Sequence, residues 1–321
     1  MNSSSISIPI LKETKGLKKR SGGLVNNSHL MLMALPVLIH VFIFSYLPMV
    51  GIILPFINYK PVLGFFKSPW IGLKNFDYFF SSPNLWWALT SKTLKMNAMF
   101  IIIGLLVSVI LALLLNEVKK KIYVKVYQTS IFFPYFLSWV VVSFMLFSFL
   151  SFDNGVINTI VEKLGGQPIN WYSDPKYWTE ILLFSSVWKG AGVGCVIYYA
   201  TLMGVDKEYY EAAAIDGASK FQMATRISIP FLIPIITINL LLSIGSIIRA
   251  DFGMFYFLPR DVGVLYPVTD VIDTYVYRAL RATNSTGLAS AVGLYQSFIG
   301  FVLVMVSNAL VKIFNNENSL F

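Results

Sequence analysis

Charge is what this sequence has least of. Asp, Glu, Lys and Arg make up 13% of its 321 residues, against about 25% in soluble domains. So few charges cannot cover a water-facing surface. With 56% hydrophobic residues and a mean hydropathy of +0.68, the composition is that of a polytopic membrane protein. Cysteine is nearly absent. Cys195 alone excludes an internal disulfide and a cysteine metal cluster, and it reads as a small apolar residue inside a helix. The two histidines, His29 and His40, have no metal-ligand spacing and receive no role. A Gly-x-x-x-x-Gly-Lys-Ser/Thr loop is missing; the nearest string, Gly64 to Ser68 with Lys67, lacks the glycine spacing that lets backbone N–H groups cradle phosphates. There is no His-Glu-x-x-His string either. The sequence therefore gives no ground for an enzyme, and no cofactor or metal is expected in this chain. The net charge of +9 is read as contact with anionic lipid headgroups rather than nucleic acid.

What is present is a series of apolar runs. They lie near 30–56, 96–116, 130–150, 181–203, 231–250 and 288–314, each near the roughly 20 residues a spanning helix needs. Pro48 and Pro55 are expected to kink or end the first. Residues 1–28 form a polar tail with Lys12, Lys15, Lys18, Lys19 and Arg20. The tail resembles the basic start of a signal peptide, but the apolar run after it is too long and has no small-residue cleavage site. The loop after the second run reads NEVKKKIYVKVYQ, with four lysines. The positive-inside rule puts this loop and the N-terminal tail in the cytoplasm. Six spans then place both termini, and the segment 204–230, on that same side. The opposite side carries Trp70, Trp86, Trp87, Trp171, Tyr172 and Trp178. These form either an aromatic belt at headgroup level or a stacking surface for sugar rings.

The segment 211–234, EAAAIDGASKFQMATRISIPFLIP, interrupts the apolar pattern. Glu211 to Asp216 is a strong helix former, since three alanines lose no side-chain entropy. Gly217 breaks the run and permits a sharp turn. Phe221 to Ile229 is expected to form a second short helix, and Pro230 suits the first turn of the next span. Physically this is a helix–turn–helix across the end of the bundle, either a docking peg for a partner or an amphipathic connector.

The spacing Glu211-Ala212-Ala213, Gly217, then Ile227-x-Ile229-Pro230 resembles the EAA motif of binding-protein-dependent ABC importer permeases, with Ile229 where the pattern has Leu. The strings WKGAGVGCVIYYATLMGVD, DVIDTYVYRAL and SAVGLYQSFIGFVLV look like the sugar-permease, LplB-type polysaccharide and oligosaccharide subgroup. The resemblance implies an all-α membrane protein with six transmembrane helices of the type I ABC importer permease fold. It implies a cytoplasmic N-terminal tail at 1–28, a first transmembrane helix with an external segment at 29–92, and a permease core at 93–314 that contains the coupling helix at 204–230. Residues 315–321 would be a second cytoplasmic tail. The coupling residues would be Glu211, Ala212, Ala213, Asp216, Gly217, Ala218 and Phe221. The implied partners are a cytoplasmic ABC ATPase dimer that binds ATP-Mg and does the hydrolysis, and a second, different permease subunit forming a heterodimer. An extracellular solute-binding lipoprotein would deliver a carbohydrate, an oligosaccharide, in a bacterial cell membrane. The alternatives are an ABC permease for a peptide, polyamine or phosphate, and a membrane channel or signalling protein without an ATPase.

Lys189 and its neighbour Trp188 sit within the fourth span and are candidates for the solute path. A lysine at that depth costs about 2.5–3.5 kcal/mol on insertion scales, so it must face protein or water. Pairing with a carboxylate or with helix-end carbonyls is the other reading. Gly190 and Gly194, four apart, suggest close helix packing. Arg249, Asp251, Arg260, Asp261, Asp270, Asp273, Arg278 and Arg281 form either salt bridges in an external loop or contacts to a binding protein or an acidic sugar.

Overall fold

A chain that crosses lipid must satisfy its own backbone polar groups, and helices do so within one segment. The computed structural model follows that rule. It describes residues 28–81 and 83–314. The expected tails, up to residue 27 and from 315, lie outside the described residues. Among the described residues the one strand-like pairing is a single bridge between Ile57 and Trp70.

The chain divides into two units, Met1–Gly51 and Ile52–Phe321. The first holds α1 (Ser28–Val41), which runs on through a π turn at Phe42–Tyr46 into 3-10 turns. That π turn ends two residues before Pro48, whose ring leaves a carbonyl one turn earlier without its donor. The second unit holds α2 (Gly64–Lys67), α3 (Lys74–Phe80), α4 (Pro83–Asn116), α5 (Lys121–Phe132), α6 (Trp139–Leu150), α7 (Val156–Lys163), α8 (Trp178–Met203), α9 (Lys207–Ile215), α10 (Lys220–Met223), α11 (Ile229–Gly245), α12 (Phe252–Phe257), α13 (Tyr266–Thr269), α14 (Ile272–Thr283) and α15 (Thr286–Phe314). Among the described residues five helical runs are long and apolar enough to cross a membrane, and a bent pair, α5 with α6, makes six if counted as one span.

Three expectations change. The third span is not one straight helix over 130–150. Pro134 opens a 3-10 turn, Leu137 is extended, and Ser138 starts a new helix by accepting from the Val141 N–H at 3.3 Å. The two arms meet at 98°. The second span begins not at residue 96 but at Pro83. Its added turns are polar because their side chains hold other segments. Lys92 Nζ donates to the Tyr266 carbonyl at 3.1 Å and Thr93 Oγ1 accepts from the Ile272 N–H at 3.2 Å; just inside the expected run, Asn97 Nδ2 donates to the carbonyls of Ile247 (2.7 Å) and Arg249 (2.9 Å). Finally, Phe221–Ile229 is not a separate short helix. A reciprocal cap between Ser219 and Gln222 starts α10, and a π turn at Ala224–Ser228 carries the helix past Pro230 into α11 as one run, Lys220–Gly245. This π turn also ends two residues before a proline.

Helices in lipid gain no hydrophobic drive from one another, so small residues and polar contacts set their packing. The main pair is α4 on α8. A Cβ at Gly194 would lie 2.5 Å from Ser108 Oγ on α4, and Ser108 Oγ donates to the Ala191 carbonyl at 3.1 Å. A Cβ at Gly192 would meet the Ile131 carbonyl oxygen at 2.3 Å, so α8 also touches the end of α5. Gly190 packs on nothing; it borders a groove of about 280 Å³ between α4, α8 and α11. The close pair is thus Gly192 and Gly194, not Gly190 and Gly194. At the far end of the bundle, α11 crosses α15 where a Cβ at Gly300 would reach the Gly245 carbonyl oxygen at 2.8 Å.

Three apolar clusters fill the second unit, and α4 enters all of them. Met96 joins Trp178, Leu182, Met254 and Leu258. Val109 and Leu115 join Cys195, Tyr198 and Leu232. Leu89 joins Phe79, Ile272, Leu288 and Val292.

Candidate functional site

The segment between α8 and α11 is built around one turn. Asp206 caps α9 by accepting from the Glu208 N–H at 3.1 Å. The helix ends in a Schellman motif: the Ala218 N–H reaches the Ala213 carbonyl at 2.9 Å, and the Gly217 N–H reaches that of Ala214 at 3.1 Å. Gly217 has φ +78°, a left-handed conformation that a Cβ disfavours. The turn is then closed by the Ser219 cap of α10. Tyr210 and Ser228 hydrogen-bond at 2.9 Å through their hydroxyl groups, and the Tyr209 ring lies 5.7 Å from that of Phe231. These contacts fasten α9 to the start of the long helix.

The fastened turn shows solvent an apolar tip. Ile215 is 87% exposed and Phe221 is 78% exposed, one on each side of Gly217. Glu211, Ala212 and Asp216 are exposed beside them, while Ala213 and Ala218 are half-buried under the turn. A rigid knob with two bare apolar side chains and small residues between them is suited to entering a partner's cleft.

A second cluster lies at the break between α5 and α6. Lys189 Nζ donates to the Tyr135 carbonyl at 2.8 Å and sits 5.1 Å from the Tyr135 ring centre and 5.2 Å from that of Trp139. The indole of Trp139 donates to Asp251 Oδ2 at 2.6 Å, and Asp251 Oδ1 caps α12 through the Met254 N–H at 3.2 Å. Of the two sequence readings of Lys189, the observed contact is with a helix-end carbonyl. Trp188 is exposed on a different face of α8. Lys189 precedes Met203, the end of α8, by 14 residues, about 21 Å along a helix, so this cluster and the turn are separate sites.

Residues 101–317 match the family described as binding-protein-dependent transport system inner membrane component. Protein LplB of Bacillus subtilis (strain 168) is 36% identical over 309 residues, 96% of each chain. The chain belongs to this family. The polygalacturonan/rhamnogalacturonan transport system permease protein YteP of the same organism is 35% identical, covering 92% of this chain and 91% of its own. A bacterial alginate ABC transporter, solved in complex with alginate pentasaccharide-bound periplasmic protein, has a chain that superposes with a TM-score of 0.81 at 30% identity. The match covers 91% of this chain and 96% of that one. The likeness extends to the fold, that of a type I ABC importer permease with its helices in the same arrangement.

In this inner membrane component, several residues offered as binding groups by the sequence turn out to be packing groups. Trp178 is fully buried and donates to the Trp171 carbonyl at 2.7 Å; the Trp171 indole donates to Asn158 Oδ1 at 3.1 Å. Tyr172 packs edge-on against both Phe147 and Trp178, and burial, opposed by Arg260, pushes its hydroxyl up to about 12. Trp70 and Trp87 keep exposed faces. Arg278 pairs with Asp270 at 2.5 Å and Asp261 at 3.3 Å and lies over the Tyr266 ring, so these charges are mutual salt bridges. Asp273 accepts from the Ala250 N–H at 2.8 Å and from Gln296 at 3.2 Å; burial raises its pKa above the usual carboxylate range, against those donors. Sequence reasoning missed Ile215. A lone isoleucine after three alanines looks like a core residue, and only the left-handed turn at Gly217 shows that it points outward.

Proposed function

We propose that this permease carries a carbohydrate, an oligosaccharide derived from a polysaccharide, inward across a bacterial cell membrane. Its energy comes from ATP hydrolysed on a separate cytoplasmic ATPase dimer, which holds the ATP-Mg. The observation that carries the coupling half of this reading is the exposed tip of Ile215 and Phe221, held by the Gly217 turn. Glu211, Ala212, Ala213, Asp216, Gly217, Ala218 and Phe221 form the surface that enters the ATPase cleft. When the ATPase dimer closes, it moves α9 and, through Tyr210 and Ser228, the start of α11. Support for the carbohydrate comes from the polysaccharide named for YteP and the alginate named for the solved transporter.

The cytoplasmic side is the one that holds the lysine loop after α4, the turn and both termini. A second, different permease chain completes the pore, and an extracellular solute-binding lipoprotein supplies the sugar; in support, the alginate transporter was solved in complex with a pentasaccharide-bound periplasmic protein. Trp188 is read as lining the path, and Lys189 as holding the helix break beside it. The experiment is uptake of labelled oligosaccharides by cells carrying the full importer, compared with cells in which Ile215→Asp and Phe221→Asp are introduced together. Loss of uptake with normal membrane levels is expected. Undiminished uptake would refute the coupling reading, and uptake of peptides or polyamines in place of any glycan would refute the substrate.

A further inference from the structure

Beside the turn lies a cavity of about 840 Å³, within the roughly 300–1,000 Å³ of small-molecule sites. Its walls come from the ends of α4 and α8, from α5, and from α9 and α10. Lys119, Lys121, Lys125, Lys207 and Lys220 line it, and the one carboxylate among the lining residues is Glu117, paired with Lys220. The cavity is therefore strongly positive. Nothing in the coupling reading requires this, because the exposed turn itself carries Glu211 and Asp216.

The shape of α5 indicates what kind of anion fits. Lys121, Val124, Lys125 and Gln128 face the cavity at i, i+3, i+4 and i+7, one side of a helix. Ile122, Tyr123, Val126 and Tyr127 are exposed on the other side. α5 enters the bundle along α8, its far end against Gly192, so its first two turns put lysines beside apolar side chains where a span meets the membrane surface. Leu114 and Met203, at the ends of two spans, are exposed next to it. Positive charge thus adjoins apolar surface at the level of the headgroups.

We propose that this cavity is a binding site for the phosphate of an anionic phospholipid headgroup. Lysine binds phosphate as a point charge, and basic pockets between membrane helices on the cytoplasmic side take anionic headgroups. A free phosphate satisfies the lysines but leaves the apolar side of α5 unused; a lipid occupies both. Lys207 and Lys220 belong to the two helices of the turn. A headgroup between them and α5 therefore ties the turn to the membrane surface and tunes how readily it moves with the ATPase. The inference rests on the reading that this end of the bundle is cytoplasmic.

The test uses the assembled transporter in nanodiscs of phosphatidylcholine with phosphatidylglycerol. Lipid retained after detergent exchange is counted by mass spectrometry, and solute-stimulated ATP hydrolysis is read in parallel. Wild type and the control Lys67→Gln should retain phosphatidylglycerol in preference to phosphatidylcholine. Lys121→Gln with Lys125→Gln should lower that retention about 30-fold and remove the dependence of hydrolysis on phosphatidylglycerol. Both lysines are exposed, so the fold tolerates the change. Equal retention by the double variant overturns the proposal. Displacement of the lipid by millimolar inorganic phosphate overturns the lipid source and assigns a free phosphate. Labelling of Lys120→Cys from outside the cell would instead sink the orientation, an outcome that the retention measurement does not touch.

Discussion

The ammonium of Lys189 donates to the main-chain carbonyl of Tyr135 at 2.8 Å, joining α8 to the point where the third span breaks. The Pro134 ring and the extended Leu137 interrupt the backbone ladder there, and a carbonyl freed in a membrane needs a donor. Lys189→Met removes it. A hydrogen bond to a charged donor contributes about 1.5–3 kcal/mol, so the purified permease should unfold at a lower temperature in detergent. Lys189→Arg should recover part of the loss. A variant that changes only the KM for solute, with an unmoved unfolding midpoint, would make Lys189 a path residue and nothing more.

Gly217→Val places a β-branched residue at φ +78°, where a Cβ costs roughly 1–2 kcal/mol. The turn is exposed and short, so a bundle of this size still inserts. Expected are normal membrane levels, weak ATPase co-purification and little uptake. Normal values for both would remove the docking role of the turn.

Asp273 provides a pH signature. Its folded-state pKa is raised by burial. The stabilising contribution of the protonated acid is complete below the unfolded value, about 3.9, and is lost as pH rises through the folded value. Asp273→Asn keeps an acceptor for the Ala250 N–H and never ionises. It should match wild type in acid and exceed it in thermal stability at neutral pH. A variant less stable than wild type at pH 7 would show that the charge on Asp273 is favourable.

Asn158 is buried and uses both ends of its amide. Its Nδ2 donates to the carbonyls of Ser151, Phe152 and Ile169, and its Oδ1 accepts from the Ile169 N–H and the Trp171 indole. Asn158→Leu leaves these groups unmatched, at about 1–3 kcal/mol for each one that stays buried. Proteolysis of the segment 151–177 in right-side-out vesicles should become much faster, with the remaining spans intact. Unchanged cleavage would mean that the segment is held by its aromatic packing.

Topology is checked by cysteine labelling. Lys120→Cys and Gly204→Cys should react with an impermeant maleimide only in inside-out vesicles. The native Cys195 is buried and should contribute no background.

Apolar runs located the spans because lipid requires them, but run-reading had two blind spots. It started α4 thirteen residues late because Lys92, Thr93 and Lys95 are charged or polar, although Lys92 and Thr93 are each bonded to another segment's backbone. It also read through the break at Pro134, since Phe133, Tyr135, Phe136 and Leu137 keep the run apolar while the backbone changes direction. Glycine spacing pointed to close packing on α8 but not to the right face: Gly192 makes the contact that Gly190 does not. The turn was the most legible element. Gly217 and the alanines before it dictate a capped helix end by local rules alone, whereas Lys189 depends on a carbonyl 54 positions away.

Asn97 and Thr93 have one more consequence, for synthesis. Their backbone partners lie 150 to 179 positions further along the chain. At a ribosomal rate of about 5–20 residues per second, α4 is in the bilayer for on the order of ten seconds before those partners exist. Thr93 is held meanwhile by the Leu89 carbonyl of its own helix at 2.8 Å, but the Asn97 amide must be matched by water, by the insertion machinery or by a passing neighbour. The nascent permease is then at its most vulnerable, and an apolar residue at Asn97 should ease insertion while leaving the Ile247 and Arg249 carbonyls unmatched in molecules already assembled.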